Sequence, residues 1–172
     1  MGDASVVFPR DEAARRYRKF LTDWQAAGHA RKPDIAFCSV CYVDETDEKA
    51  LEVASFRASR AYEGFLPLAL PGETFEDRVR RHAEMFLGRG EPGASEIMAN
   101  VFNADYLLKH DLVYIGSPET VAAKIRATAE TGMFSVFMGE FNFADLPEPE
   151  LMRSIRLFGE KVIPALRDYE PF

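Results

Sequence analysis

Short apolar runs that alternate with helices constrain the fold of this chain more than any other feature. Residues 112–115 read Leu-Val-Tyr-Ile, and residues 134–138 read Phe-Ser-Val-Phe-Met in a strand predicted to continue to residue 143. A similar run covers residues 35–43, and a shorter stretch at 4–8 is a candidate strand stub. Near-continuous apolar strands separated by helices are typical of parallel sheets covered on both faces. The sequence therefore predicts an α/β fold with three β/α units.

The predicted helices have clear start signals and buried faces. Thr46 and Ser117 are predicted N-caps, with Pro118 at a first helical position, and Thr74 with Asp77 forms a predicted capping pair. Apolar spacings of three and four predict the helix faces that pack inward. These positions are Ala13, Tyr17, Phe20, Leu21 and Trp24; Leu51, Ala54, Ala58 and Tyr62; Val121, Ile125 and Ala129; and Leu151, Ile155, Phe158, Val162 and Leu166.

Length and charge exclude several classes of protein. The chain has 172 residues, which suits one domain, whereas a complete (β/α)8 barrel typically takes about 250. Residues 65–112 are less regular and are predicted to form a helical insertion or lid. The net charge of −7 argues against nucleic-acid binding, and no apolar run approaches the roughly 20 residues of a membrane span. Without a recognisable signal peptide, a cytoplasmic location is expected.

Several reactive or charged residues have a structural interpretation that we favour. Cys38 and Cys41 lie in one predicted strand, where they point to opposite faces, so we expect two buried, inert thiols rather than a redox pair. The basic cluster Arg15, Arg16, Arg18 and Lys19 is read as a solvated helix face, with a phosphate patch as the less favoured alternative. The three histidines, His29, His82 and His110, are scattered, so no metal site is predicted.

Candidate site residues follow from the rule that barrel functions lie where strands end. The rule selects residues 43–45, 116–117 and 139–145. Gly116 and Ser117 form either a phosphate cradle at a helix N-terminus or, as we favour, a plain cap. Glu140 and Asn142 follow Gly139 and are two apart in the predicted strand, so they share a face. Either that face meets a ligand in a barrel mouth, or the two residues lie beyond the sheet and bind water or backbone. No catalytic set is recognisable.

Three segments of the chain resemble the C-terminal half of luciferase-like flavin-dependent monooxygenases. They are Tyr-Ile-Gly-Ser-Pro-Glu-Thr-Val at 114–121, Asn-Phe-Ala-Asp-Leu-Pro at 142–147, and the helix at 153–166. The strand and helix start at 41–50 are also similar to that family. The likeness covers most of the chain and is least clear at 65–112.

The resemblance implies a partial (β/α)8 barrel and a reaction of reduced flavin with oxygen on a small organic substrate. The implied cofactor is FMN, or the deazaflavin F420 in some branches, and the implied partners are a second copy, a complementary barrel half or a flavin reductase. Gly116 and Ser117 would then contact cofactor, and Gly139, Glu140 and Asn142 would line the pocket. Nothing matches the family's N-terminal flavin-binding half. The alternative is therefore an inactive half-barrel that serves as a dimerisation or interaction module, and enzymatic activity is left open.

Overall fold

A computed structural model of the chain describes residues 10–86, 100–132 and 134–169. The predicted strand stub at 4–8 and the start of a helix predicted from residue 95 lie outside these residues. In chain order the elements are α1 (Arg10–Ala26), β1 (Ala36–Val43), α2 (Asp47–Ala61) with a 3-10 turn (Tyr62–Phe65), α3 (Phe75–Phe86), α4 (Ala104–Lys109), β2 (Tyr114–Gly116), α5 (Pro118–Ala129), β3 (Val136–Glu140), α6 (Glu148–Leu157), a π-helix (Phe158–Val162) and α7 (Ile163–Leu166).

The three strands form a parallel sheet in the order β2-β1-β3. The last three residues of β1 pair with β2, and its first five pair with β3. The α/β class and the parallel pairing are thus as predicted. Consecutive barrel units would instead place β2 between β1 and β3. Because β1 is the longest strand and is almost wholly buried, it takes the centre and bonds to both neighbours.

Aromatic rings on one face of the sheet make much of the core. The strand register puts Phe37, Tyr114 and Phe137 on the same face. The Tyr114 and Phe137 rings meet edge to face at 4.7 Å, and Phe37 stacks on Phe134 at 5.3 Å. The Tyr114 hydroxyl bonds to Thr128 of α5 at 3.0 Å, so its polar end is satisfied inside the core. This face is where α5 and the π-helix pack.

Small residues decide how α2 and α6 approach the sheet. Ala50, Ala54 and Ala58 are fully buried, whereas Leu51, predicted to face inward, is 38% exposed. Ile155 of α6 was likewise predicted to face inward and is 42% exposed, while the neighbouring Ser154 is fully buried. The Ser154 hydroxyl accepts the backbone N–H of Val43 at 2.8 Å. Both helices place a small side chain against the sheet. Close backbone packing and the backbone hydrogen bond of Ser154 stabilise the fold more than the burial of one leucine or isoleucine side chain would.

Strand β3 ends earlier than predicted. The chain leaves the sheet after Glu140 because Phe141 folds back over Gly139, where a Cβ atom would lie 2.6 Å from the Phe141 ring. Phe141 also meets Phe158 of the π-helix edge to face at 5.0 Å. Asn142 is therefore outside the strand and exposed, and strand alternation no longer places it on the face of Glu140. The expectation that the strand continues to residue 143 is wrong, so strand alternation no longer supports a shared face for these two residues.

The expectation that both cysteine thiols are buried is wrong for Cys38. Cys41 is fully buried, and burial raises the pKa of its thiol, but Cys38 is exposed. The two side chains point to opposite faces, as predicted. The face that carries Cys38 is covered poorly beside β3, where Val136 and Met138 are 42% and 45% exposed.

Two arginines of α3 hydrogen-bond to the segment 66–73, at the start of the predicted insertion. Arg78 donates to the carbonyl of Pro67 at 2.6 Å, and Arg81 donates to the carbonyl of Leu68 at 2.7 Å. Arg81 also binds the Glu73 carboxylate through two nitrogens, at 2.7 and 2.8 Å. These contacts hold a segment that turns at residues 71–72 and whose Leu68 is 88% exposed. Among the helices of the described ranges, none has the length and apolar character needed to cross a membrane.

We expect Ser154→Ala to lower the free energy of unfolding by about 1–3 kcal/mol, because it leaves the buried N–H of Val43 without a partner. The matched control is Ser59→Ala, since the Ser59 hydroxyl only donates to the Phe56 carbonyl within its own helix. Urea unfolding followed by circular dichroism measures both variants. Equal losses in the two would show that the Ser154 bond does not hold α6 against β1.

Candidate functional site

The turn at Gly116 and Ser117 lies beside the start of α2. The backbone N–H of Ser117 donates to the Asp47 carboxylate at 2.6 Å, and the Thr120 hydroxyl donates to the other Asp47 oxygen at 3.0 Å. The Ser117 hydroxyl accepts the N–H of Thr120 at 3.3 Å, which makes Ser117 the N-cap predicted from sequence. The hydrogen bond from the Ser117 backbone is the largest influence that lowers the pKa of Asp47.

A phosphate group does not fit this turn as it stands. The donors that a phosphate would use at the N-terminus of α5 already hold the Asp47 carboxylate, and a second anion there would be repelled. The space is also closed, since a Cβ atom on Gly116 would lie 2.9 Å from the carboxylate and 2.8 Å from Thr120. The arrangement supports the plain cap, the interpretation that the sequence favoured.

A buried polar network marks the carboxyl end of β1. Asp44 is 1% exposed and accepts hydrogen bonds from the Tyr42 hydroxyl at 3.0 Å and from Arg153 at 2.9 Å. Its other oxygen accepts the N–H of Glu45 at 2.8 Å. Burial raises the pKa of Tyr42 to about 12; the Arg153 hydrogen bond opposes this rise and Asp44 adds to it. The Arg153 Nε is buried and has no hydrogen-bond partner among the residues that the structure describes.

Arg153 is the residue that sequence reasoning missed. It lies on α6, more than a hundred positions from Asp44, and sequence spacing does not indicate that the two meet. The sequence selects residues 43–45 as a candidate site because a strand ends there, but it indicates no partner for Asp44. The pairing arises because Ser154 draws α6 onto the end of β1, which carries the neighbouring Arg153 to the carboxylate.

Glu140 lies on the sheet face that is poorly covered. The register pairs it with Val40 and puts it on the same face as Cys38 and Met138. Within the described residues its carboxyl group has no hydrogen bond or ion pair, and burial raises its pKa. Burial, followed by the charge of Glu140, also raises the pKa of the Cys38 thiol.

Tyr62 is coupled electrostatically to the same groups. Burial first, and then the charges of Glu140 and Cys38, raise the pKa of Tyr62, while the hydroxyl of Ser39 nearby opposes the rise. Within the described residues the Tyr62 hydroxyl has no hydrogen-bond partner, and the hydroxyl of Ser39 donates to the Leu112 carbonyl at 2.8 Å. A half-buried carboxyl, a thiol and an unpartnered phenol with shifted pKa values are therefore near one another, which is common at functional sites.

The structure brings together two of the three predicted strand ends. Val43 pairs with Gly116, and the N–H of Asp44 donates to the Gly116 carbonyl at 3.2 Å. Glu140 pairs with Val40 instead, three residues or about 10 Å lower along β1. Gly139 and Glu140 thus lie lower on the sheet than the other two strand ends, and Asp145 forms ion pairs with Arg57 and Arg60 of α2. Among the described residues, no three of His, Cys, Asp and Glu are close enough to hold a metal ion.

Parallel strands with polar side chains at their carboxyl ends define an α/β protein of the kind that binds ligands at that edge of the sheet. The sequence pattern of one such family, "Luciferase-like monooxygenase", matches residues 3–134. The chain therefore belongs to the luciferase-like monooxygenase family, whose members depend on flavin. The match includes residues 65–112, where the resemblance was least clear, and ends before two of the three segments that carried it.

The fold is also similar to a solved structure. The monooxygenase RslO1 from Streptomyces bottropensis superposes with a TM-score of 0.61 at 17% sequence identity, over 95% of this chain. The chain spans 40% of the length of that protein. At this identity the likeness supports the fold. A comparison with curated proteins gives no match.

We expect Gly116→Ala to lower the free energy of unfolding by about 1–3 kcal/mol, since the new methyl group meets Thr120 and Asp47 at a backbone φ of +158°. Gly159→Ala is the control, because a Cβ at this helical position meets nothing within 4 Å and should stabilise by about 0.5–1 kcal/mol. Urea unfolding measures both. A neutral Gly116→Ala would contradict the closed geometry of the turn.

We expect Glu140→Gln to stabilise the protein at neutral pH and to have little effect below pH 4.5, the ordinary pKa of the group. A raised pKa means that the folded state holds its proton more tightly than the unfolded state. The ionised carboxyl therefore destabilises the fold increasingly as pH rises through the folded pKa. Thermal unfolding from pH 4 to 8 tests this, with the exposed Glu160→Gln as control. A difference that grows on acidification would contradict it.

Proposed function

We propose that this chain contributes part of the active site of a luciferase-like monooxygenase. The enzyme would oxidise a small organic substrate with O2 and reduced FMN; F420 would instead imply hydride transfer, since a reduced deazaflavin does not activate O2. One oxygen atom would enter the substrate and the other would leave as water, with two electrons from the flavin. The family match over residues 3–134 carries this proposal.

In this proposal the chain supplies a pocket wall rather than the flavin phosphate site. Asp47 fills the turn at Gly116 and Ser117, so the phosphate would bind to residues outside this chain's described part. Glu140, beside Gly139 and on the face of Cys38 and Met138, is the best candidate to meet substrate or the flavin ring. Its carboxyl has no internal partner among the described residues, and the exposed Met138 and Val136 offer apolar surface beside it. Asn142 would contribute from the loop instead of the strand.

The remaining barrel elements would come from a second copy or from a complementary polypeptide, and a flavin reductase would supply the reduced cofactor. The exposed face of β3 supports such an assembly, since Val136 and Met138 are more than two-fifths exposed on a strand that neighbours the core. Apolar sheet surface of this kind usually marks an interface. The same observation favours the second candidate function, an inactive module for dimerisation or protein interaction.

A flavin titration of the purified chain tests the enzyme proposal. FMN, reduced FMN and F420 are added in turn while flavin fluorescence is followed, and light scattering reports the mass against the 19.4 kDa of one chain. We expect micromolar binding by an assembly larger than a monomer. Glu140→Gln should weaken that binding, whereas Glu160→Gln should leave it unchanged.

Two outcomes separate the enzyme from the interaction module. Assembly without flavin binding at millimolar protein would overturn the enzyme proposal and support the module. Met138→Asp should prevent assembly in either case, whereas Met85→Asp, which alters a still more exposed methionine on α3, should not. Assembly that survives Met138→Asp would show that the open face of β3 is not the interface.

A further inference from the structure

We propose that the cleft around Trp24 binds a planar aromatic anion, at a site separate from the strand ends described above. The site lies between α1 and the segment 27–34 that leads into β1. Ile35, at the start of β1, borders it. The buried Asp44 network lies at the other end of the same strand, about 30 Å away along β1, and Glu140, which pairs with Val40, is about 16 Å away. This inference does not depend on the proposed monooxygenase function.

Trp24 is fixed in place by the segment that follows α1. Its indole Nε1 donates to the Arg31 carbonyl at 2.7 Å, and its ring stacks on His29 at 4.0 Å with an interplanar angle of 26°. Phe20 packs against it at 5.9 Å. Because the indole N–H is already bonded, what Trp24 offers to a ligand is ring surface. A preformed aromatic wall loses little conformational entropy when a flat molecule packs on it.

The Trp24 ring lines two adjoining cavities. The first, about 430 Å³, is bordered by Leu21, Trp24, His29, Arg31, Lys32 and Pro33. The second, about 390 Å³, shares Trp24 and Pro33 and reaches Arg16 and Ile35. Each volume falls within the 300–1,000 Å³ or so that small-molecule sites usually have. Apolar and aromatic side chains form most of the walls, and basic side chains lie at both rims.

The charge of this region is opposite to that of the whole chain. Residues 13–34 contain six Lys or Arg against two Asp, a net of +4, whereas the chain as a whole carries −7. The Arg31 side chain is 87% exposed, and its ion pair with Asp34 is long, at 3.5 Å. Of the basic cluster of α1, Arg16 borders the second cavity together with Asp34, while Arg31 and Lys32 border the first. The sequence alone does not place these residues around one cleft. Aromatic walls with a basic rim suit a ring that carries phosphate or carboxylate.

Trp24 is the only tryptophan of the chain, so its fluorescence reports on this site alone. AMP serves as an aromatic phosphate and 1-naphthoate as an aromatic carboxylate; adenosine and naphthalene-1-carboxamide are their uncharged counterparts. We expect saturable quenching by at least one of the two anions, with its neutral counterpart binding at least about five-fold more weakly, and weaker binding as salt is added. The anion that binds more tightly shows whether the site prefers a phosphate or a carboxylate group. Inorganic phosphate alone should not alter the fluorescence.

The double change Arg31→Gln with Lys32→Gln should weaken binding of the anion about five-fold, as the loss of two exposed charge contacts implies. Arg156→Gln, an exposed arginine on α6, is the matched control. Trp24→Leu should abolish binding of 1-naphthoate, followed by the ligand's own emission, and circular dichroism verifies that each variant is folded. The proposal is overturned if neither anion binds, if charged and neutral probes bind equally, or if folded Arg31→Gln, Lys32→Gln protein binds as well as the control.

Discussion

The hydrogen bonds along both edges of β1 hold the other two strands in place, and most of the packing depends on them. β1 can occupy this central position because almost all of its side chains, on both faces, are buried. Its neighbours attach at different heights, β2 at the last three residues and β3 at the first five. This offset decides which polar groups meet, since it brings residues 43–45 to residues 116–117 and leaves Glu140 lower on the sheet.

Most acidic groups at the edge of the sheet serve the fold. Asp44 holds Tyr42 and Arg153, and Asp47 joins the start of α2 to the start of α5. Each carboxylate is stabilised by donors that a ligand would otherwise use. Glu140 differs, because its half-buried carboxyl has no such donor among the described residues. A carboxylate at a strand end therefore indicates a ligand site only when its hydrogen bonds are not already satisfied by the protein itself.

Local patterns in the sequence predicted the class of fold, the three strands and the caps at Thr46, Thr74 and Ser117. They failed where a long-range contact outweighed local periodicity. Ala50 and Ser154 face the sheet in place of Leu51 and Ile155 because small side chains let the backbones approach closely. Phe141 ends β3 by packing over Gly139, and that contact also displaces Asn142 from the predicted site face. The Asp44–Arg153 pair joins distant segments, and the Trp24 cleft forms because the segment 27–34 folds back against α1. One sequence without tertiary information reveals neither contact.

The hydrogen bonds between α3 and the segment 66–73 affect how readily a protease can cleave that segment. A run such as Leu-Pro-Leu-Ala-Leu, with Leu68 and Leu70 exposed, offers side chains that many proteases accept. Cleavage also requires that the backbone enter the protease groove as a free extended strand, with its carbonyls available for new hydrogen bonds. Arg78 and Arg81 already hold the carbonyls of Pro67 and Leu68. The segment therefore combines an attractive sequence with a backbone that a protease can reach only after α3 and its two arginines release it.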